Sequence, residues 1–446
     1  MGTVEGKAWT PPVAGRILFA ARGSGVRMRP PYDEETLARA LRQGLDAGGR
    51  PLDPLMPRYD LSEADLAALV VYLRGLSESP SPGVTNTEIR FATVVTPDAD
   101  PAVSKAMLGV LDTFLASRNV QTRHLGKWDQ YARNFRRWSL ETWSLAGPPS
   151  TWGDQLEEKY ATKPVFALLS GAGGAEWGPV HDFCERHEVP CILPNLDVPP
   201  AAAGSGYYSV YFTRGVVLEA ETIAAEIADA PEGTRVVQFC PPAGPGRAGA
   251  DALRKTLSAR GGIEVVDVVV GADAKPGPRS VSPARQIAVL WLPAESLASA
   301  VSGRPQSEKW NQVFVSSTLL RGEPPAAHPL PDVPTDLVHP FSPPSEVTSR
   351  WPRVATWLKV RGVPPGERLT QDRTLAACQV AGDALMHLND EFNRDYFLEL
   401  VDHVASNAAV SAFHSRLSSG PGQRVLSRGS YLVRLGEPGP ARWVIP

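Results

Sequence analysis

The feature that most constrains this chain is a regular alternation of short apolar runs and amphipathic stretches between residues 88 and 316. The runs at Ile89–Val95, Val165–Leu169 and Gln286–Leu292 have the length of buried strands. The stretches at Ala102–Ser117 and Val216–Ala228 have the apolar spacing of helices. Strands that alternate with such helices form βαβ units, in which a parallel sheet carries helices on both faces. The sequence therefore predicts an α/β fold with parallel sheets flanked by helices.

The composition is that of an ordinary globular protein and excludes several classes. The chain has 446 residues, 43% hydrophobic and 21% charged, which suffices for two or three folding units. Its 45 Lys and Arg residues nearly balance 48 Asp and Glu residues, and the formal net charge is −3. Because binding to a phosphate backbone needs a positive surplus, nucleic acid is not an expected partner. The sequence has no apolar run of about 18 residues, so we predict no membrane span.

A break near residue 80 divides the chain into two parts. Residues 77–87, SESPSPGVTNT, lack periodicity and have the composition of a linker. We therefore predict a small helical unit over residues 1–76, this linker, and a larger unit over residues 88–446. Within the small unit, helices are predicted at Tyr32–Leu45 and Leu61–Leu76.

Two stretches of the larger unit interrupt the alternation. Lys127–Thr162 carries four tryptophans in a polar segment, and we predict an insertion that is mostly loop with one helix at most. Gly322–Thr348 is rich in proline and is predicted to be a long connection. Helices are predicted beyond it at Trp351–Arg361, Gln371–Asn389 and Asn393–Ala405, and an extended segment at Arg424–Arg434.

The cysteine pattern argues against a structural metal. Cys184, Cys191, Cys240 and Cys378 form no C-x-x-C pair and do not stand with His at zinc-finger spacing. We favour buried apolar thiols, the usual state of free cysteine. A Cys184–Cys191 disulfide stays open, because it depends on compartment and geometry.

The sequence offers no recognisable catalytic set. It contains neither G-x-S-x-G nor H-E-x-x-H, and His181 and His187 stand six residues apart, which does not place them on one helix face. We therefore predict that the protein is not an enzyme.

A glycine-rich turn is the best candidate for ligand contact. Residues Ser170–Gly174 follow a predicted strand and precede a predicted helix near Trp177–His187. Glycine lets the backbone approach a ligand, and the amides at a helix start favour an anion. The turn lacks the Lys-Ser/Thr pair of a phosphate-binding loop. Two interpretations remain open here: contact with a ligand carboxylate, or a tight turn that needs glycine for its shape.

The larger unit resembles the type I periplasmic binding proteins of the branched-chain amino acid and amide-binding kind, over about Glu88–Leu435. The resemblance is carried by the segments Val165–Pro200, Tyr207–Asp229 and Arg235–Leu257. It implies a two-lobe clamshell, with lobe 1 at about 88–206 plus part of 313–390. Lobe 2 would comprise about 216–312 plus part of 391–446.

The resemblance also implies a function. It suggests a solute-binding or sensing protein of the periplasm, similar to those of ABC transporters for amino acids, whose lobes close on a small polar metabolite such as an amino acid, amide or organic acid. Ligands of parallel sheets bind outside the carboxyl ends of the strands. The candidate ligand-binding residues are Ser170, Gly171, Gly173, Gly174, Asn195, Asp197, Tyr208, Tyr211, Pro241 and Trp291. Asp197 is expected either to pair with an ammonium group or to cap a turn.

The small unit resembles the C-terminal half of a class I c-type cytochrome domain, over about Arg29–Leu76. The carrying features are Met56-Pro57 and a closing helix that ends in Val71-Tyr72-Leu73. In that family the methionine at Met56 is the distal axial ligand of haem iron. The family also attaches haem through C-x-x-C-H, but no Cys precedes Cys184 and no His precedes His124.

Several interpretations of this remnant stay open. We expect no haem in the chain as given, and haem c only if a longer chain carries an upstream C-x-x-C-H motif. Three explanations for the missing half of the domain stay open: a truncated sequence, a decayed domain or a fragment of a longer chain. In the chain as given, we expect Met56 to be a loop methionine that packs on Leu66 and Leu69. No secretory signal precedes it, which by itself favours the cytoplasm. The rivals to periplasmic solute binding are an electron-transfer protein whose clamshell docks a redox partner protein, and a cytoplasmic ligand sensor.

Overall fold

The computed structural model describes residues 4–5, 8–9, 13, 15–21, 28–54, 56–75, 81–125, 136–270, 285–297, 310–388, 392–407, 411–414, 416–418, 422–436 and 440–446. They form two compact units. The first comprises Met1–Ser81 and Asp390–Tyr396, and the second comprises Pro82–Asn389 and Phe397–Pro446.

The first unit is small and mainly helical. Its elements are β1 (Val4–Glu5), β2 (Ala8–Trp9), α1 (Gly15–Leu18), α2 (Glu34–Gln43) and α3 (Glu63–Gly75). The two helices predicted there are confirmed to within two residues at each end.

Local capping explains where α2 begins and ends. The Asp33 side chain accepts a hydrogen bond from the Thr36 amide at 2.8 Å, and the Asp33 amide donates to the Thr36 hydroxyl at 2.9 Å. The helix ends at Gly44, whose φ of 74° suits glycine. The core of the unit consists of Tyr32, Leu37, Ala40, Val70 and Leu73.

The second unit contains two sheets, and its first sheet defines lobe 1. Its five strands are β3 (Glu88–Val95), β4 (Arg137–Ser144), β5 (Ala167–Leu169), β6 (Cys191–Ile192) and β7 (Ser209–Val210). They are all parallel and lie in the order β4-β3-β5-β6-β7. The helices that follow strands of this sheet are α4 (Pro101–Leu125), α5 (Trp152–Thr162) and α6 (Gly178–Arg186).

The second sheet defines lobe 2. Its strands are β8 (Thr234–Cys240), β9 (Ile263–Val269), β10 (Gln286–Leu290), β11 (Gln312–Ser316), β12 (Thr335–His339), β13 (Ser430–Arg434) and β14 (Arg442–Val444), in the order β14-β13-β12-β11-β10-β8-β9. The strands β8 to β12 are parallel, and β13 and β14 join antiparallel. The helices α7 (Val216–Glu226) and α8 (Pro245–Arg260) pack on this sheet in one apolar cluster. The α/β fold with parallel sheets and flanking helices is therefore confirmed.

Three longer helices complete the fold: α9 (Pro344–Val360), α10 (Arg368–Met386) and α11 (Arg394–Asn407). Helix α10 packs against α4 of lobe 1. Every residue from Leu369 to Cys378 is buried, including several polar ones. None of the helices that the structure describes is both long enough and apolar enough to cross a membrane.

The predicted insertion at Lys127–Thr162 is wrong, because this stretch contains β4 and α5. Trp138, Trp143 and Trp152 are at most 4% exposed and belong to the core of lobe 1. In β4, Trp138 and Trp143 stand among polar and charged residues, so the strand lacks the continuous apolar run that identifies the other buried strands. Trp128 lies outside the described residues.

The predicted long connection at Gly322–Thr348 also needs correction. It contains β12, whose five residues are all buried, and it ends in the first turn of α9. Residues 294–297, which follow β10, are helical, and residues 298–309 lie outside the described residues.

The chain passes between the two lobes three times, and the passages lie side by side. They run between Val210 and Val216, between His339 and Pro344, and between Asn407 and Ser430. The Leu426 amide donates to the Tyr211 carbonyl at 2.9 Å, which joins the first and third passages. The Ser342 amide donates to the Phe413 carbonyl at 2.7 Å, which joins the second and third. These hydrogen bonds make the three passages a connected hinge.

Candidate functional site between the lobes

A cavity of about 210 Å³ lies between the lobes beside the hinge. Lobe 1 contributes the loops after β3, β5 and β6, and lobe 2 contributes the start of α8. The wall also includes the first turns of α10 and the turn after β11. The lining residues are Asp98, Asp100, Val103, Gly173, Gly174, Ala175, Asn195, Asp197, Gly244, Pro245, Arg321, Leu369, Thr370 and Arg373.

The glycine-rich turn after β5 is already occupied by a carboxylate of the chain itself. The Ala175 amide donates to Asp98 Oδ2 at 2.8 Å, and the Gly174 and Glu176 amides donate to the same carboxylate at 3.4 Å. The Thr96 hydroxyl donates to its other oxygen. Within the predicted turn, the Gly174 amide thus holds Asp98, and the Ser170, Ala172 and Gly173 amides donate to backbone carbonyls.

The glycines of this turn permit close packing within lobe 1. A Cβ atom on Gly174 would lie 2.5 Å from the Asp98 carbonyl oxygen. A Cβ atom on Gly173 would lie 2.6 Å from the Trp177 ring. Both contacts are too short for a side chain, so the shape of the turn alone requires glycine at these positions.

A second pair of charges lies at the hinge side of the cavity. Arg321 Nη1 donates to both carboxylate oxygens of Asp197, at 2.8 and 2.9 Å, and Arg321 Nη2 lies 3.4 Å from Asp100. Burial opposes the charge on Arg321, but the neighbouring carboxylates outweigh it and raise the pKa of this guanidinium. Asp197, which was expected to pair with an ammonium group or cap a turn, therefore pairs with a cation of the chain.

A buried glutamate fixes the turn that carries Arg321. Glu219 of α7 accepts hydrogen bonds from the Thr318 amide and hydroxyl, both at 2.8 Å, and from the Ser316 hydroxyl. Burial raises the pKa of Glu219 to about 8. The carboxyl is therefore largely protonated at neutral pH. These hydrogen bonds hold the C-terminal end of β11 against α7. Arg321, with φ of 55°, follows in the same turn and reaches towards lobe 1.

Arg373 differs from these groups because part of its guanidinium has no partner. The residue lines the cavity and is 2% exposed. Its Nε donates to His414 Nε2 at 3.1 Å, and its guanidinium lies 5.4 Å from the ring centres of Phe212 and Phe341. Among the described residues, its buried Nη2 has no hydrogen-bond partner. Burial lowers the pKa of Arg373 to about 10, which leaves it charged at neutral pH.

Asn195 places a second unsatisfied polar atom in the wall. Its Nδ2 donates to the hydroxyls of Ser170, at 3.0 Å, and Thr374, at 3.1 Å. Its Oδ1 is buried and has no partner in the described part of the chain. Arg373 and Asn195 thus bring unused hydrogen-bonding capacity to the same cavity.

The predicted ligand-binding residues separate into three groups. Gly173, Gly174, Asn195 and Asp197 line the cavity. Ser170 and Gly171 lie directly behind it, in the buried end of β5 and the turn that follows. The remaining four lie elsewhere: Tyr208, Tyr211, Pro241 and Trp291.

The positions of two of these aromatic residues have clear physical reasons. Tyr211 is 1% exposed in the core of lobe 1, where its hydroxyl pairs with His181 Nδ1 at 2.9 Å. Trp291 is fully buried in lobe 2, and its indole nitrogen donates to Gln238 Oε1 at 2.8 Å. Both polar tips are satisfied away from the cavity.

Sequence reasoning missed four of the five charged residues in the wall: Asp98, Asp100, Arg321 and Arg373. Asp98 and Asp100 follow β3, so the rule that sites lie at the carboxyl ends of parallel strands could have found them. Arg321 and Arg373 carry no such signal, because one lies just before the predicted long connection and the other in a long helix.

The four cysteines are buried thiols, in line with the favoured interpretation. Burial raises the pKa of the Cys378 thiol well above its ordinary value. The described residues contain no group of three or more His, Cys, Asp and Glu side chains that could hold a metal ion.

No known family model matches this sequence, and no curated protein sequence does. Solved structures do match, at low identity. The substrate-binding protein of a branched-chain amino acid transporter from Streptococcus pneumoniae, in complex with isoleucine, has a TM-score of 0.52 at 10% identity and covers 81% of this chain and 100% of that chain. A substrate-binding periplasmic protein from Ralstonia solanacearum has a TM-score of 0.52 at 13% identity, with 80% and 100% covered.

A third structure carries a different ligand. The solute-binding protein of an ABC transporter from Rhodopseudomonas palustris, in complex with 3,4-dihydroxybenzoic acid, has a TM-score of 0.51 at 14% identity and covers 80% of this chain and 96% of that chain. These neighbours are substrate-binding proteins rather than enzymes. At such identities the likeness shows the fold, and this chain has the two-lobe α/β fold of the type I periplasmic binding proteins.

Proposed function

We propose that the second unit binds a small polar ligand in the cavity between its lobes and has no catalytic activity. The observation that carries the proposal is a cavity lined by both lobes, in which a buried guanidinium and a buried amide oxygen have unused hydrogen-bonding capacity. Unsatisfied buried polar groups are costly, so they favour a ligand that completes their hydrogen bonds.

The hinge supports closure of the lobes on that ligand. Three adjacent passages joined by backbone hydrogen bonds would allow the lobes to rotate relative to each other while each sheet stays intact. The neighbours in complex with isoleucine and with 3,4-dihydroxybenzoic acid are proteins of this fold that bind an amino acid and an aromatic acid, respectively. A periplasmic role in solute uptake or sensing is part of the same proposal.

A cavity-filling variant tests the proposal. Ala175 is half-buried in the wall, and Ala175→Trp should fill the cavity. Ala161→Trp on the exposed surface of α5 is the matched control. Melting temperatures of both variants and the wild type are measured with leucine, isoleucine, 3,4-dihydroxybenzoate, 4-methylpentanoate, phenylacetate and their amides.

The expected result is that at least one compound raises the melting temperature of the wild type and of Ala161→Trp but not that of Ala175→Trp. Compounds that stabilise Ala175→Trp as strongly as the wild type bind elsewhere, which would reject the cavity. The absence of stabilisation by the whole panel would favour the rival role of the clamshell as a docking scaffold.

The association with a c-type cytochrome remains a proposal for the first unit, and the residues present do not fit haem. The stretch Arg29–Leu76 offers one thioether, Met56, but no thiol to anchor the macrocycle and no histidine. The structure shows Met56 half-buried in the loop between α2 and α3, and the Arg58 guanidinium donates to its carbonyl at 2.6 Å. We therefore assign haem no part in the binding function and no redox partner to this cavity.

A further inference from the structure

We propose that the ligand is a small carboxylate without an ammonium group, held by the Arg373 guanidinium, and not an amino acid. This inference rests on the proposed function and names the ligand class for the same cavity. It follows from which charges in the wall are already satisfied by the chain and which are not.

The first step concerns the groups that would hold a zwitterion. An amino acid needs donors for its carboxylate and an acceptor for its ammonium group. The amides of the turn at 174–176 are engaged by Asp98, at 2.8 Å for the closest. The carboxylate of Asp197 is engaged by Arg321 through two contacts of 2.8 and 2.9 Å. The turn amides and the Asp197 carboxylate, which could pair with the two ends of an amino acid, are therefore already engaged by Asp98 and Arg321.

The second step concerns the group that remains. Arg373 is nine-tenths or more buried, lines the cavity and keeps Nη2 without a partner in the described structure. A guanidinium pairs with a carboxylate through two parallel hydrogen bonds, and such charge-assisted bonds are about twice as strong as neutral ones. Its only hydrogen bond among the described residues goes to the neutral ring of His414. A carboxylate is the complement that this site lacks.

The surroundings of Arg373 hold it in place for this contact. The rings of Phe212 and Phe341 flank the guanidinium, and His414 stacks on Phe212 with ring centres 4.8 Å apart. Burial, together with the charge of Arg373, lowers the pKa of His414, so this ring stays neutral and can accept from Nε. The rotamer of Arg373 is thereby fixed before a ligand arrives, which reduces the entropy lost on binding.

Two matched series of compounds test the inference by calorimetry on the full chain. The first is 4-methylpentanoate, leucine and 4-methylpentanamide, which share one carbon skeleton. The second is phenylacetate, phenylglycine and phenylacetamide. We expect at least one acid to bind with a Kd of about 1 mM or tighter, and at least about tenfold tighter than its amide and its amino acid.

The variant Asn195→Asp provides an independent test of the same site. It keeps the size of the side chain and adds a negative charge beside the proposed carboxylate. It should weaken the acid about ten- to a hundredfold and change the affinity for a neutral amide much less. Arg373→Lys should retain part of the affinity for the acid, because it keeps the charge but loses the two-pronged contact.

The outcomes separate this inference from the proposed function. Binding of leucine or an amide as tightly as the acid, blocked by Ala175→Trp, would keep the cavity and overturn the carboxylate assignment. Failure of all six compounds to bind at about 1 mM would overturn both. An acid that binds Asn195→Asp with unchanged affinity would also overturn the assignment.

Discussion

The two sides of the cavity satisfy their charges differently. On the lobe 1 side, Asp98 is held by three backbone amides, and Asp197 is held by Arg321. On the α10 side, Arg373 is more deeply buried, at 2% exposure, and keeps a donor unused. The charges of the first side are satisfied without a ligand, whereas the charge of the second is not.

This difference distinguishes the residues that shape the cavity wall from the residue proposed to contact the ligand. The glycine turn and the Asp197–Arg321 pair set the geometry of the wall and the position of the hinge. In our proposal, the incomplete Arg373 guanidinium determines which ligand the cavity binds. A chain with this fold would then keep the glycine turn and select its ligand through another residue.

The largest effect on stability is expected from Arg321→Met, which removes the cation that pairs with Asp197. It leaves Asp197, which is 8% exposed, without its cation. Removing one partner of a largely buried pair should lower the free energy of unfolding by about 2–3 kcal/mol, measured by chemical denaturation. The freed carboxylate should also bind an ammonium group, so the affinity for leucine should rise relative to 4-methylpentanoate.

Arg350→Met is the control for this variant. Arg350 pairs with Glu346 on the surface of α9, with side-chain exposures of 38% and 40%. Loss of such an exposed pair should change stability by less than about 1 kcal/mol. Equal destabilisation by the two variants would remove the distinction between the cavity pair and an ordinary surface pair.

A smaller effect should appear in the pH dependence of stability through Glu219. Its pKa is about 8 in the folded protein and 4.5 in its ordinary state, so the folded state keeps a proton that the unfolded state releases between these values. Stability from this group is therefore present at low pH and is lost as pH rises towards 8. Between pH 6.5 and pH 8.5 we expect a loss of about 1–2 kcal/mol in the free energy of unfolding.

Glu219→Gln should reduce this loss, because glutamine cannot ionise. His339 acts in the opposite direction and at lower pH, since burial lowers its pKa to about 4. Glu226→Gln on the same helix, where the side chain is 25% exposed, is the control and should retain the wild-type pH dependence. An unchanged slope in Glu219→Gln would show that other groups govern this range.

The smallest effect is expected from Ser170→Ala. Its hydroxyl accepts a hydrogen bond from Asn195 at 3.0 Å and does not line the cavity. Stability should fall by about 1 kcal/mol, and the affinity for an acid should fall by less than about threefold, through the loosened Asn195. A tenfold loss of affinity in calorimetry would return Ser170 to direct ligand contact.

The sequence predicted the parts of this structure that depend on periodicity. Buried parallel strands such as Ile89–Val95 are almost continuously apolar, and their carboxyl ends pointed to Gly173, Asn195 and Asp197. Strand β4 was missed because polar and charged residues interrupt its apolar positions without a regular period. Periodicity therefore identified the parallel strands of the fold and the lobe 1 residues that line the cavity at their carboxyl ends.

The partners of the charged residues could not be predicted in the same way. Arg321 and Asp197 stand 124 residues apart, and the pairing depends on the hinge that brings them together. Arg373 is one buried position in a helix whose polar residues gave no hint of burial. Which charges are satisfied is a property of tertiary contacts, and a single sequence does not display it.

The most direct test of the account is a cycle of four dissociation constants, for 4-methylpentanoate and 4-methylpentanamide binding to the wild type and to Arg373→Gln. The account predicts that the wild type prefers the acid by about tenfold or more, and that Arg373→Gln loses most of this preference while its affinity for the amide changes little. A variant that is folded and keeps the full preference for the acid would contradict the assignment of Arg373 as the residue that recognises the ligand.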